Sequence, residues 1–295
     1  MKIVQSYWSK PFRKNISIGM EVGGWCNSIF FYMSWALSCL SLRRFYNDVE
    51  LYTDRLGKEL LIDELKLPYT KVHIVLDELD RYDESFWAIG KLYTYSLQET
   101  PFIHVDGDVY IWKPFPQKLL KAELLAQHLE DSYPFNIKII KDTIENLSFL
   151  PDVITLSKNR TKEVNAGIIG GCNWEFFQSY TKEAFNFIEK NIECISNLKY
   201  KNMFNTIFEQ FLFYSMSEYY NKEVTYAFEN IDERFKPFGE FESVPQNYYI
   251  HALAFYKKIF YIGEAIAYHL YKLSPKHYDI IINKMSYDKC CSSFL

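Results

Sequence analysis

The sequence predicts an α/β fold: a mostly parallel central sheet flanked by helices, followed by a helical C-terminal tail. Strand and helix patterns alternate through the first half of the chain. Polar residues collect at the carboxyl ends of the predicted strands, where such sheets bind ligands. The 295 residues suffice for one large core, and 48% hydrophobic against 24% charged residues excludes general disorder.

Residues 2–6 read as the first strand and residues 27–46 as a helix, whose apolar run from Ile29 to Leu40 is too short to span a membrane and contains Ser34 and Ser38. This run reads as a helix buried against a sheet. Residues 49–53, 71–76 and 102–105 read as further strands, with helices at 58–65 and 85–98. In the second half, strands are expected at 153–156 and 166–169, helices at 174–191 and 202–220, a loop at 229–246 around Pro237, Gly239 and Pro245, and a helix at 275–285. There is no internal repeat and no low-complexity linker.

The net charge of −4 gives no bulk electrostatic reason to bind nucleic acid. The amino terminus enters a strand pattern directly, without a secretory signal, so a cytoplasmic protein is expected. On that expectation Asn15, Asn146 and Asn159, in Asn-x-Ser/Thr contexts, carry no glycan. Cys26, Cys39, Cys172, Cys194, Cys290 and Cys291 follow no metal-ligand spacing and read as reduced thiols.

The most informative segment is Phe102-Ile103-His104-Val105-Asp106-Gly107-Asp108, an apolar strand ending in two carboxylates one residue apart. If the backbone stays extended, Asp106 and Asp108 point the same way. Adjacent carboxylates repel unless a cation lies between them or one is protonated. Such oxygen ligands suit Mn²⁺ or Mg²⁺. Asp-Gly-Asp also suits a surface turn, but a turn between polar segments needs neither the apolar run before it nor Val109-Tyr110-Ile111-Trp112 after it. An EF-hand loop is excluded, because Gln117 would stand where the bidentate Glu belongs.

In chain order, Lys91, Asp106-Gly107-Asp108, Asn165-Ala166-Gly167, Glu209-Gln210 and His251-Ala252-Leu253-Ala254-Phe255-Tyr256-Lys257 resemble the motifs of metal-dependent GT-A glycosyltransferases. The likeness is to the retaining enzymes related to glycogenin and the lipopolysaccharide galactosyltransferases. It implies a GT-A domain over residues 1–260 and a helical tail over 261–295. It also implies a hexosyltransferase that takes a nucleotide-sugar donor, most simply a UDP-sugar, to a glycan or lipid-linked acceptor in cell-surface polysaccharide synthesis.

By the same resemblance, Asp106, Asp108 and His251 hold Mn²⁺ or Mg²⁺, with His251 and Lys257 matching a His-x-x-Gly-x-x-Lys motif in which Ala254 replaces Gly. Lys257 and Lys91 serve the phosphates, and Asn165, Ala166 and Gly167 line the sugar pocket. Glu209 and Gln210, with Lys91, are the catalytic candidates beside the anomeric carbon. Ser6, Tyr7, Thr53, Asp54, Asp106 and Gly107 complete the donor site. Peripheral association with the inner face of the membrane stays open.

The residue types fit that chemistry without the family. Breaking a sugar–phosphate bond develops negative charge on oxygen, which a cation and a lysine stabilise. An imidazole among oxygen ligands tilts the choice towards Mn²⁺. Trp8, Trp25 and Trp87 could stack on sugars, although core is the commoner role for Trp. Asp152 and Glu163 are acids without an assigned place, either of which an inverting enzyme could use as base.

Two other readings compete. A haloacid dehalogenase-like phosphohydrolase also uses paired aspartates, but with the motif near the amino terminus and Thr or Val where Tyr110 stands. A non-catalytic nucleotide- or glycan-binding module would keep the same metal ligands.

Overall fold

The computed structural model describes residues 1–15, 22–131, 134–157, 162–195, 198–229 and 236–292. Asn159 lies outside these residues, as do the side chains of Asn15, Cys290 and Cys291. The strands are β1 (Lys2–Tyr7), β2 (Val49–Thr53), β3 (Lys71–Ile74), β4 (Phe102–Val105), β5 (Val109–Ile111), β6 (Leu124–Asp131), β7 (Lys162–Gly171), β8 (Val224–Tyr226) and β9 (Tyr249–His251). The chain divides into two compact units, called below the Asp106 unit (residues 2–78, 105–114 and 232–295) and the Glu209 unit (residues 1, 79–104 and 115–231).

In the Asp106 unit, β1, β2 and β3 pair in parallel in the order β3-β2-β1. The helix Ser28–Arg43 is buried on nearly every side, as an all-round apolar helix should be. Against it pack the helices Phe260–Leu273 and Pro275–Ser292, both within the stretch expected to be a helical tail. Gly263 allows the close approach, because a Cβ there would lie 2.3 Å from the Phe30 ring. The short strands β5 and β9 form an antiparallel pair of their own.

In the Glu209 unit the strand order is β4-β7-β6-β8, with β6 parallel to β8 and antiparallel to β7. The helix Trp174–Ile195 buries Phe177, Tyr180, Ala184, Phe187 and Ile188 at helical spacing. Gly170 of β7 is obligatory, since a Cβ would meet the Phe102 carbonyl oxygen at 2.2 Å.

The expected class holds: mixed α/β with mostly parallel pairing, flanking helices and a helical carboxyl end. The strand expected at residues 153–156 is instead a helix, Asp152–Thr155, preceded by Pro151, whose carbonyl accepts from Ile154 N and Thr155 N. Proline's fixed φ and an acid in the first turn start a helix, and the apolar stretch was too short to decide by periodicity. The expected loop at 229–246 contains the helix Lys236–Gly239 and a 3₁₀ turn at Phe241–Ser243. Among the described residues no helix is long and apolar enough to cross a membrane. Cys26, Cys39, Cys172 and Cys194 are free thiols.

Candidate functional site

In the Asp106 unit the chain leaves β4 and turns, with Val109 N donating to the Asp106 carbonyl at 3.1 Å, instead of staying extended. Gly107 permits this turn, since a Cβ would lie 2.5 Å from the Trp35 ring. Three buried polar side chains fix the turn backbone. Gln5 Nε2 donates to the carbonyls of Val105 (3.2 Å) and Asp106 (3.3 Å), Ser38 Oγ to Asp106 O (3.2 Å) and Ser34 Oγ to Gly107 O (2.8 Å). Ser41, one turn further along the helix, accepts from Ile111 N at 3.2 Å. Serines at i, i+4 and i+7 thus give an apolar helix one polar stripe facing this connection.

Strand β9 brings the third group. Val109 pairs with His251 in the β5–β9 register, and Ala252 N donates to Asp108 O at 2.9 Å. One ligand atom each from Asp106, Asp108 and His251 lies within 4.8 Å of the others. His251 Nε2 is 3.4 Å from Asp108 Oδ1, and Lys257 Nζ is 2.5 Å from Asp108 Oδ2. Lys257 also lies over the Trp25 ring and donates to Gly23 O at 3.4 Å.

Burial works to raise the Asp108 carboxyl, but the charges of Lys257 and His251 win and hold it well below the usual carboxylate range. The donor set fits a divalent cation: two carboxylates and an imidazole converge, and buried Asp108 Oδ1 makes no hydrogen bond. Ala254, which stands where the resembling motif has Gly, has a φ of 41°. That left-handed conformation strains a residue with a Cβ.

The early strand-end candidates belong to the same unit and are closely tied to protein. Tyr7 is buried, stacked 5.6 Å from Phe12 and edge-on to Trp35 at 5.1 Å. Thr53 Oγ1 donates to Tyr7 O at 2.7 Å. Asp54 caps the helix Arg55–Lys58 by accepting from Gly57 N at 2.7 Å, and its other oxygen accepts from Ser9 N and Oγ. Ser6 pairs across to Tyr52 in the β1–β2 register. Trp8 and Trp25 are core residues, whereas Trp87 is 41% exposed.

In the Glu209 unit, Lys91 of the helix Ile89–Ser96 reaches Glu209 Oε1 at 2.6 Å and donates to Ala166 O at 3.2 Å. Glu209 is fully buried, while Gln210 is partly exposed. Both lie in a π-helical turn, Ile207–Phe211, a local widening common at functional sites. Tyr180 OH donates to Glu209 O at 2.6 Å. Asn165 Oδ1 accepts from Gly167 N at 3.0 Å, and its Nδ2 donates to Glu130 Oε1 at 2.8 Å. His104 is buried, and burial followed by the Lys91 charge lowers it, so its imidazole stays neutral.

Lys91, Glu209 and the Asn165-Ala166-Gly167 segment therefore meet in one unit, and Asp106, Asp108, His251 and Lys257 meet in the other. Gln5, Ser34, Ser38 and Glu130 were not singled out from sequence. The one available signal was the pair of serines four residues apart within an apolar helix.

No curated protein matches the sequence. Among solved structures, the chain is similar to the glycosyltransferase GlyE of Streptococcus pneumoniae TIGR4 at 9% identity and a TM-score of 0.47, over 96% of this chain and 63% of that one. It thus spans less than two thirds of that protein's length. It is also similar to the galactosyltransferase LgtC, solved in complex with donor and acceptor sugar analogs, at 10% identity and a TM-score of 0.38, over 70% of each chain. Residues 1–284 match the family described as Family of unknown function (DUF6734), and the chain belongs to that family.

Proposed function

We propose that this protein is a metal-dependent glycosyltransferase of the GT-A class, with residues 1–260 as its transferase domain and 261–295 as a helical tail. It moves a hexose, with retention of configuration, from a nucleoside-diphosphate sugar to a glycan or lipid-linked acceptor for cell-surface polysaccharide synthesis. UDP is the simplest nucleotide, and the work is done in the cytoplasm, at the inner face of the membrane where the acceptor is lipid-linked. The observation that carries this reading is the convergence of Asp106, Asp108 and His251 within 4.8 Å, with Lys257 on the same carboxylate.

Asp106, Asp108 and His251 would hold Mn²⁺ or Mg²⁺, which supplies positive charge to the diphosphate as the glycosidic bond breaks. With Oδ2 engaged by Lys257, Asp108 Oδ1 is the atom left for a cation. Lys257, steadied by the Trp25 face and Gly23 O, adds a second positive charge for the leaving group. Glu209, held by Lys91, offers its carboxylate to the anomeric carbon, and Gln210 and Asn165 contact the sugar. Ser6, Tyr7, Thr53 and Asp54 support the nucleoside end, the three buried residues Tyr7, Thr53 and Asp54 by shaping the strand ends.

The test is calorimetric titration of UDP with Mn²⁺ and with EDTA, on the natural protein and on Asp108→Ala. Binding that needs both the metal and Asp108, lost by at least about a hundredfold in the variant, is expected. Equal binding in EDTA, or in folded Asp108→Ala, would remove the metal assignment.

A further inference from the structure

Glu163 is 3% exposed, and its Oε2 has no hydrogen-bond partner. It precedes Asn165 by two residues on β7, so the two side chains leave the same face of the strand. In the antiparallel register, Glu130 stands opposite Glu163 and His128 opposite Asn165. That ribbon face therefore carries an amide, an imidazole and two carboxyls.

The charged groups that act on Glu163 are both acids, and each is held by a partner of its own. From β6, Glu130 accepts from Asn165 Nδ2 at 2.8 Å and lies 3.3 Å from His128 Nε2. From the π-helical turn comes Glu209, a second like charge. Glu209 is itself bound by Lys91 of the helix Ile89–Ser96 at 2.6 Å. The hydroxyls of Tyr95 and Tyr180 also go to Glu209. Burial, then Glu130 and Glu209, push the Glu163 carboxyl up to about 8, so it carries its proton at neutral pH.

A protonated carboxyl is both a donor and an acceptor. Left without a partner in the interior it is destabilising, and a polar atom kept so beside other polar side chains points to a ligand group that completes it. A sugar hydroxyl, itself donor and acceptor, matches. We propose that Glu163 is a specificity-determining residue, whose carboxyl O–H donates to a hydroxyl oxygen of the bound sugar beside Asn165. This inference rests on the transferase reading and adds to it a residue outside the motifs that led there.

The experiment compares UDP, UDP-glucose and UDP-galactose by calorimetry with Mg²⁺ at pH 7 and pH 9.5, on the natural protein, Glu163→Gln and Glu163→Ala. In the natural protein the preference for the better UDP-sugar over UDP should fall about tenfold at pH 9.5, where the carboxylate can only accept. Glu163→Gln keeps a neutral donor and should hold the preference at both pH values. Glu163→Ala should lack it at both. An unchanged preference and pH profile in both variants would overturn the proposal and make Glu163 a core carboxyl satisfied by water. If UDP shows no binding dependent on metal and Asp108, the transferase reading falls and this inference falls with it.

Discussion

Asp108 and Glu163 are both largely buried acids, at 13% side-chain and 3% exposure, yet their protonation is opposite. In the Asp106 unit, Lys257 and His251 overcome the effect of burial, and Asp108 is a firm anion. In the Glu209 unit burial and the like charges of Glu130 and Glu209 keep Glu163 neutral. Burial pushes both carboxyls towards the neutral form, and only at Asp108 do cationic partners overcome it. One region is thereby suited to a cation and the other to a neutral hydroxyl.

The contrast can be broken most severely at Lys91. Lys91→Ala would leave buried Glu209 without its counter-charge, and urea unfolding should register a loss of about 3–5 kcal/mol. A loss below about 1 kcal/mol would mean that solvent reaches Glu209 and that the unit is less closed than its burial indicates.

A pH series sharpens the contrast. The folded Glu163 carboxyl holds its proton more tightly than in the unfolded chain, so between its ordinary 4.5 and about 8 the native state binds more protons. Its contribution to stability is therefore fully present below 4.5 and is lost as pH rises through about 8. Glu163→Gln should remove that fall and gain on the order of a few kcal/mol over the natural protein at pH 8.5. Parallel unfolding curves for the two proteins across this window would count against a neutral Glu163. Asp108 has the opposite sign: its contribution is present above 3.8 and lost as acid takes the pH below that.

The smallest effect is expected at Ala254. Ala254→Gly should relieve the left-handed strain and raise stability by about 1 kcal/mol, read as a small upward shift in Tm. An unchanged Tm would show that the backbone relaxes at no cost.

The legible parts of the molecule share one property: their determinants are local. Strands β1, β2 and β4 are short, largely buried segments rich in strand-forming residues, and their reading holds. Asp106 and Asp108 announce themselves by adjacency. Strands β5 and β9 are three residues each, too short to leave a period, so their pairing, which brings His251 to Asp108, has no local signature. Strand β6 carries His128 and Glu130 in its second half, where polar residues on the ribbon face blur the strand pattern. Glu163 was visible only as an acid without a place, because its neighbours come from β6 and the 207–211 turn. Gln5, Ser34 and Ser38 act on the Asp106 turn from far away in sequence, which no spacing rule records.

The β5–β9 pairing also sets a timetable. Residues 112–248 must all be synthesised before Tyr249–His251 can return to Val109–Ile111 and close the loop between them. Closing so long a loop is entropically costly and depends on contacts distant in sequence. A nascent or truncated chain that stops short of residue 251 has both aspartates but lacks the imidazole beside them. The convergence of Asp106, Asp108 and His251 is then acquired late, as a signature of a chain in which β5 and β9 have paired.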